Sequence, residues 1–210
     1  METRSYRIAS EAAMTAFGQA VAQTLGGRDV IGLIGPLGAG KSVFARGLIR
    51  CLITDHITDH ITGRVTGGDK KPIRAPNLSA GEATPALAAP DSPTPVPVPS
   101  PTFTLLETYD TAIGQLSHLD LYRLPLTDGQ IAPGDAHQLG LDDAMAGGPV
   151  LIEWADRALD LLPPETILMA IAPPNATETH DDTERHITTA APHAWFARPQ
   201  TAALLPYQAP

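Results

Sequence analysis

The chain contains one cysteine, Cys51, in 210 residues. A lone thiol excludes an intramolecular disulfide framework and fits a reducing compartment. Basic residues are also scarce. Lys and Arg total 14 against 23 Asp and Glu, a formal charge of −9. Sequence-independent binding of nucleic acid needs a basic stripe to displace counterions, so this chain is not expected to grip RNA or DNA by itself. No apolar run reaches the roughly 18 residues that span a bilayer. The start, Met1-Glu-Thr-Arg-Ser-Tyr-Arg7, lacks the apolar stretch of a signal peptide. The expectation is a soluble cytoplasmic protein without membrane contact.

Proline, by contrast, is in excess. The chain has 21, about twice average usage. Nine lie between Pro72 and Pro101, and Ile53-Thr-Asp-His56 repeats as Ile57-Thr-Asp-His60. Such a stretch lacks the donors for a backbone ladder and reads as low complexity. The organisation expected is one domain over residues 1–190, interrupted by a Thr/Pro-rich insertion over 54–99 and followed by a tail over 191–210. His56 and His60, four apart, would share one helix face, but the repeat context argues against a metal site there.

Either side of the insertion the pattern is α/β. Residues 4–9 read as an edge strand. Ser10 is a candidate N-cap for a helix with apolar residues at three- and four-residue spacing, ended by Gly26-Gly27. Residues 30–34 form a short apolar run, as in a strand buried on both faces. Residues 43–53 read as helix, and 103–109, 116–121, 150–152, 166–172 and 185–189 as strands.

Between the apolar run at 30–34 and the following helix stands Gly35-Pro36-Leu37-Gly38-Ala39-Gly40-Lys41-Ser42, the pattern G-x4-G-K-[ST] in the context it requires. At average residue frequencies such a pattern arises by chance in roughly one chain in a hundred of this length. Glycines 38 and 40 let the backbone curl and bring its N–H groups to phosphate oxygens. The helix start directs its positive dipole end at the same anion. Lys41 supplies a full charge to the β- and γ-phosphates, and the Ser42 hydroxyl suits Mg²⁺. A nucleoside triphosphate is the expected ligand.

Such a loop needs acids at the carboxyl ends of neighbouring strands. Two stand there: Glu153, closing Val150-Leu-Ile, and Asp120, in His118-Leu-Asp-Leu-Tyr122. The segment Ser100-Pro-Thr102-Phe-Thr104 resembles a switch loop whose Thr hydroxyl senses the γ-phosphate. His118 has two readings, one polarising a water and the other packed at a strand end.

Four segments in order resemble one family: residues 35–48, Ser-Pro-Thr-Phe-Thr-Leu (100–105), His-Leu-Asp-Leu-Tyr-Arg-Leu (118–124) and Leu-Ile-Glu-Trp-Ala-Asp-Arg (151–157). The family is TsaE, the bacterial ATPases of tRNA threonylcarbamoyladenosine biosynthesis. The resemblance implies a P-loop NTPase-like α/β fold with a mixed central sheet flanked by helices. It implies ATP and Mg²⁺, with Ser42 and Glu153 as metal ligands and Lys41 with the loop amides on the phosphates. Asp120 would sit beside the triphosphate, and Glu11 near the nucleotide. Lys41, Asp120 and Glu153 are the catalytic candidates. The implied partners are TsaD and TsaB, with tRNAs that read ANN codons reached only through that complex. The chain departs from the family by about 40 additional residues before Ser100, tolerable because loop-closure cost grows only logarithmically, and by Ala155 where the family has Pro.

Two other functions use the same parts: a small-molecule kinase, and a non-hydrolysing adaptor in which ATP shapes a docking surface. The Asn-Lys-x-Asp motif expected of GTPases is absent, as is the Leu-Ser-Gly-Gly-Gln signature of ABC-type ATPases.

Overall fold

The computed structural model describes residues 1–62, 97–173 and 184–209. Its strands are β1 (Glu2–Ile8), β2 (Val30–Ile34), β3 (Leu106–Thr111), β4 (Gly114–Asp120), β5 (Val150–Glu153), β6 (Ile167–Ala172) and β7 (Arg185–Ala191). The helices are α1 (Glu11–Ala22), α2 (Lys41–Thr62), α3 (Pro133–Leu139), α4 (Leu141–Gly147) and α5 (His193–Phe196), with a 3-10 segment at Pro199–Tyr207. The strands form one sheet in the order β1-β7-β6-β2-β5-β4-β3. β6, β2, β5 and β4 run parallel, and the remaining pairings are antiparallel. The sheet is therefore mixed and flanked by helices, the α/β architecture expected from the sequence.

Side-chain alternation assigns the two faces. Ile31, Leu33, Leu116 and Leu151 pack with Phe17, Phe44 and Leu48 of α1 and α2. Val30, Leu119, Val150 and Ile152 pack with Ala136, Leu141 and Ala144 of α3 and α4. Ser10 caps α1 as expected, its Oγ accepting from Ala13 N–H at 3.1 Å. From β2 the chain goes first to β4 and β5 on one side, then to β6 on the other. The loop that leaves β2 thus lies at a topological switch point, where open α/β sheets bind ligands.

Several boundaries differ from the sequence reading. α2 runs on to Thr62, past residue 53. Val98, placed by sequence inside the insertion, is buried in the core. β3 begins at Leu106 instead of residue 103, because the Leu105 N–H closes a turn onto the Pro101 carbonyl at 2.6 Å. Leu105 adopts φ 66° there, a left-handed conformation incompatible with a strand. α3 and α4 were not signalled by the apolar pattern; each spans only seven residues. Residues 191–209, which the pattern places nowhere, finish β7 and then return across the core, burying Trp195, Phe196 and Leu204. The remainder of the expected insertion and the side chains of His56 and His60 lie outside the described residues.

Candidate functional site

The loop from Gly35 to Ser42 joins β2 to α2. Gly35, Gly38 and Gly40 have φ of 150°, 77° and 105°, values that L side chains resist. At Gly35 a Cβ would also stand 2.3 Å from the Ile171 carbonyl oxygen. The loop is thereby curled over the carboxyl end of the sheet, with the amino end of α2 behind it.

The acids arrive by strand register. β4 and β5 are parallel, with Asp120 opposite Glu153 and His118 opposite Leu151. Two-residue alternation puts all four side chains on the α2 face. Ser42, in the first turn of α2, donates its hydroxyl to Glu153 Oε2 at 2.8 Å. Asp120 accepts from Thr102 Oγ1 at 2.8 Å and from Tyr122 N–H at 2.9 Å. Thr102 is in turn 2.9 Å from Ser100 Oγ. Glu153 and Asp120 are both almost fully buried, as is Lys41.

Lys41 is folded onto its own loop. Its ammonium donates to the Gly35 carbonyl at 2.6 Å and the Pro36 carbonyl at 2.9 Å, and lies 3.6 Å from the Trp154 ring centroid. Burial lowers its pKa, opposed by the charges of Glu153, Asp156 and Asp120. Trp154 reaches this position from a left-handed backbone, φ 61°, and stacks on Tyr122 with centroids 4.8 Å apart.

A cavity of about 290 Å³ collects Leu37, Gly38, Ala39, Gly40, Lys41, Ser42, Thr102, Asp120 and Glu153, with Tyr122 and Trp154. Gly35 and Pro36 serve it through the carbonyls that receive Lys41. Glu11 is elsewhere. It lines a second cavity, of about 170 Å³, on the opposite flank of Gly38-Ala39-Gly40, together with Ser10, Met14 and Arg185. The loop thus borders two chambers, one holding Asp120 and Glu153 and the other Glu11 and Arg185.

Arg185 was not foreseen from sequence, whereas Trp154 and Arg157 stand beside the acids in the chain and the fold decides what they touch. Arg185 enters the Glu11 cavity through the β7 pairing, which no local motif signals. Trp154 covers Lys41, a placement that depends on its left-handed backbone. Arg157 donates to the Leu121 carbonyl at 3.3 Å and to that of Tyr122, tying the chain after Asp120 to the chain after Glu153. Among the described residues, no group of three or more His, Cys, Asp and Glu side chains could hold a metal ion by itself.

The family model described as "Threonylcarbamoyl adenosine biosynthesis protein TsaE" matches residues 8–62 and 79–186. The tRNA threonylcarbamoyladenosine biosynthesis protein TsaE of Rickettsia bellii is 30% identical over 147 residues, which are 70% of this chain and 71% of that protein. Its counterpart from Aquifex aeolicus is 29% identical over 156 residues, 74% of this chain and 73% of the relative. Among solved structures, YdiB of Bacillus subtilis superposes with a TM-score of 0.55 at 22% identity, covering 92% of this chain and 89% of that one. That likeness is one of fold, a P-loop NTPase-like α/β domain.

Proposed function

The chain belongs to the TsaE family of threonylcarbamoyl adenosine biosynthesis proteins, and from that premise we propose that it is a Mg²⁺-dependent ATPase acting on a TsaD–TsaB complex. The observation that carries this reading is the contact between the Ser42 hydroxyl and Glu153, 2.8 Å apart where the glycine loop meets α2. Both are hard oxygen donors. Mg²⁺ is commonly held by one or two such groups with phosphate oxygens and waters completing its shell. A pair without a third protein ligand therefore suits a cation that arrives with a triphosphate. Bound there, Mg²⁺ would offset charge on the β- and γ-phosphate oxygens.

The chain's own groups do the remainder. Loop amides and the Lys41 ammonium bind the phosphates. Glu11 and Arg185 face the chamber beyond the loop, on the side left for the nucleoside. Asp120 ties Thr102, and with it the segment 100–105, to the acid-lined cavity, so that this segment senses whether a γ-phosphate is present. Burial of the site keeps bulk water from screening these charges. Hydrolysis transfers the γ-phosphoryl group to water and leaves ADP. The work on the partner complex requires that the ATP and ADP states bind it with different affinity.

The two arginines beside the acids support hydrolysis over the kinase reading. Arg157 is engaged by backbone carbonyls, and Arg123 stacks on Phe103 with its guanidinium 4.1 Å from the ring centroid. Neither is disposed as a lid over phosphates, and basal turnover is expected to be slow, with stimulation by the partners.

The test is repeated-turnover formation of threonylcarbamoyladenosine on tRNA with purified TsaD and TsaB, threonylcarbamoyl-adenylate, ATP and Mg²⁺. Product should form catalytically with the wild-type chain and fail with Glu153→Ala. ATP hydrolysis that never supports modification would reject the partner reading. Modification without hydrolysis would favour the adaptor.

A further inference from the structure

Glu153 has two carboxylate oxygens, and each meets one side chain. Oε2 accepts from Ser42, and Oε1 lies 3.1 Å from Nε2 of His118. We propose that His118 is a positioning residue, whose Nε2–H holds Oε1 so that Oε2 stays turned toward Ser42 and the metal beside it. The inference rests on the reading of Glu153 as a Mg²⁺ ligand.

The strand register puts the two side chains within reach of each other. His118 and Asp120 are two apart on β4, and Glu153 pairs with Asp120. His118 is therefore diagonal to Glu153 on the same face, within reach for a long side chain. Its ring is 1% exposed and Glu153 is equally enclosed. The terminal torsion of a glutamate is broad and roughly two-fold. An untethered carboxylate would sample orientations that a metal must then freeze.

Burial also selects the proton's place. His118 Nδ1 is buried without a hydrogen-bond partner among the described residues. A proton on Nδ1 would strand a buried donor and leave the Nε2 lone pair against a carboxylate oxygen, two acceptors in contact. A proton on Nε2 makes the bond to Glu153 and leaves only a lone pair unmet. The contact therefore needs its hydrogen on Nε2, which makes the imidazole a donor to the acid instead of a base for water.

Outer partners of metal-bound carboxylates typically contribute 10- to 100-fold in metal affinity. A histidine that only filled space would not. The experiment uses the full chain and a fluorescent, non-hydrolysable ATP analogue, titrated in Mg²⁺ and again in EDTA. The ratio of the two affinities reads the metal site, and the EDTA value reads the phosphate loop. His118→Gln keeps an amide donor at the reach of Nε2, whereas His118→Asn stops near Nδ1. The asparagine variant should lose about tenfold or more of the Mg²⁺ gain, with its EDTA affinity unchanged, and the glutamine variant should recover most of it. Two results overturn the inference: an asparagine variant with the full gain, or a glutamine variant as impaired as asparagine. Glu153→Gln tests the premise separately. If it keeps the wild-type gain, or if the wild type has none, the metal reading of Glu153 fails regardless of His118.

Discussion

Lys41 is a cation held by carbonyls and an indole in a place built for an anion. Its ammonium lies against Gly35, Pro36 and the Trp154 ring, so phosphate must exchange for these contacts, not for bulk water. Removing the charge by Lys41→Ala should weaken ATP binding by roughly tenfold to a hundredfold, the worth of a charge-assisted hydrogen bond of about 1.5–3 kcal/mol. Equilibrium titration checks this, and unchanged affinity would sink the phosphate-site assignment. Trp154 borders the same cavity, whereas Trp195 is buried in the core away from the acids. Nucleotide should therefore change the emission of a Trp195→Phe variant and leave that of Trp154→Phe flat. At this scale the sequence was informative where one residue's chemistry sufficed. Lys41, Ser42 and the glycines announce phosphate by type and spacing. The indole over Lys41 does not, because it depends on a φ of 61° at Trp154.

The elements are set by two close approaches. A Cβ at Gly18 of α1 would stand 2.5 Å from the Phe44 carbonyl oxygen, and one at Gly47 of α2 would stand 2.4 Å from that of Thr15. The two helices touch backbone to backbone through these glycines. Since α2 starts at Lys41 and α1 at Glu11, the contact fixes both walls of the glycine loop. Gly47→Ala should cost about 1–3 kcal/mol by overpacking, lowering Tm by about 2–4 °C per kcal/mol in a chain of this size. Differential scanning calorimetry reads the loss, and an unchanged Tm would contradict the helix contact. Strand content was readable wherever alternation or an apolar run was clean, as in β2 and β5. It misled at residues 103–105, where Phe-Thr-Leu has strand propensity but Pro101 and the Leu105 turn prevail. Short α3 and α4 offered too few turns for a period to emerge.

Across the whole molecule, the last residues act as a clasp. Arg198 donates to the Thr24 carbonyl at 2.8 Å and to Asp29 Oδ1 at 3.0 Å, just before β2. The hydrogen bond to Asp29 raises the arginine's pKa against the opposing effect of burial. Ala209 N–H donates to the Ser5 carbonyl at 2.9 Å, covering the outer side of β1. Trp195→Ala should destabilise the fold by about 3–5 kcal/mol, seen as an earlier midpoint in urea, and a midpoint equal to wild type would refute the clasp. Among the described residues no helix is long and apolar enough to cross a membrane. The glycine loop, the two acids at strand ends and the α/β class are legible in the linear chain, because each is encoded in short segments whose chemistry is local. The family resemblance pairs Ser42 with Glu153, which the fold brings together across 111 residues, but nothing in the linear chain places His118 against that same carboxylate, Glu11 in one chamber with Arg185, or the tail across the core. Those outcomes follow from strand order and register: a one-residue slip of β4 against β5 would turn His118 and Asp120 to the other face, while Glu153, held by the pairing of β5 with β2, would still meet Ser42.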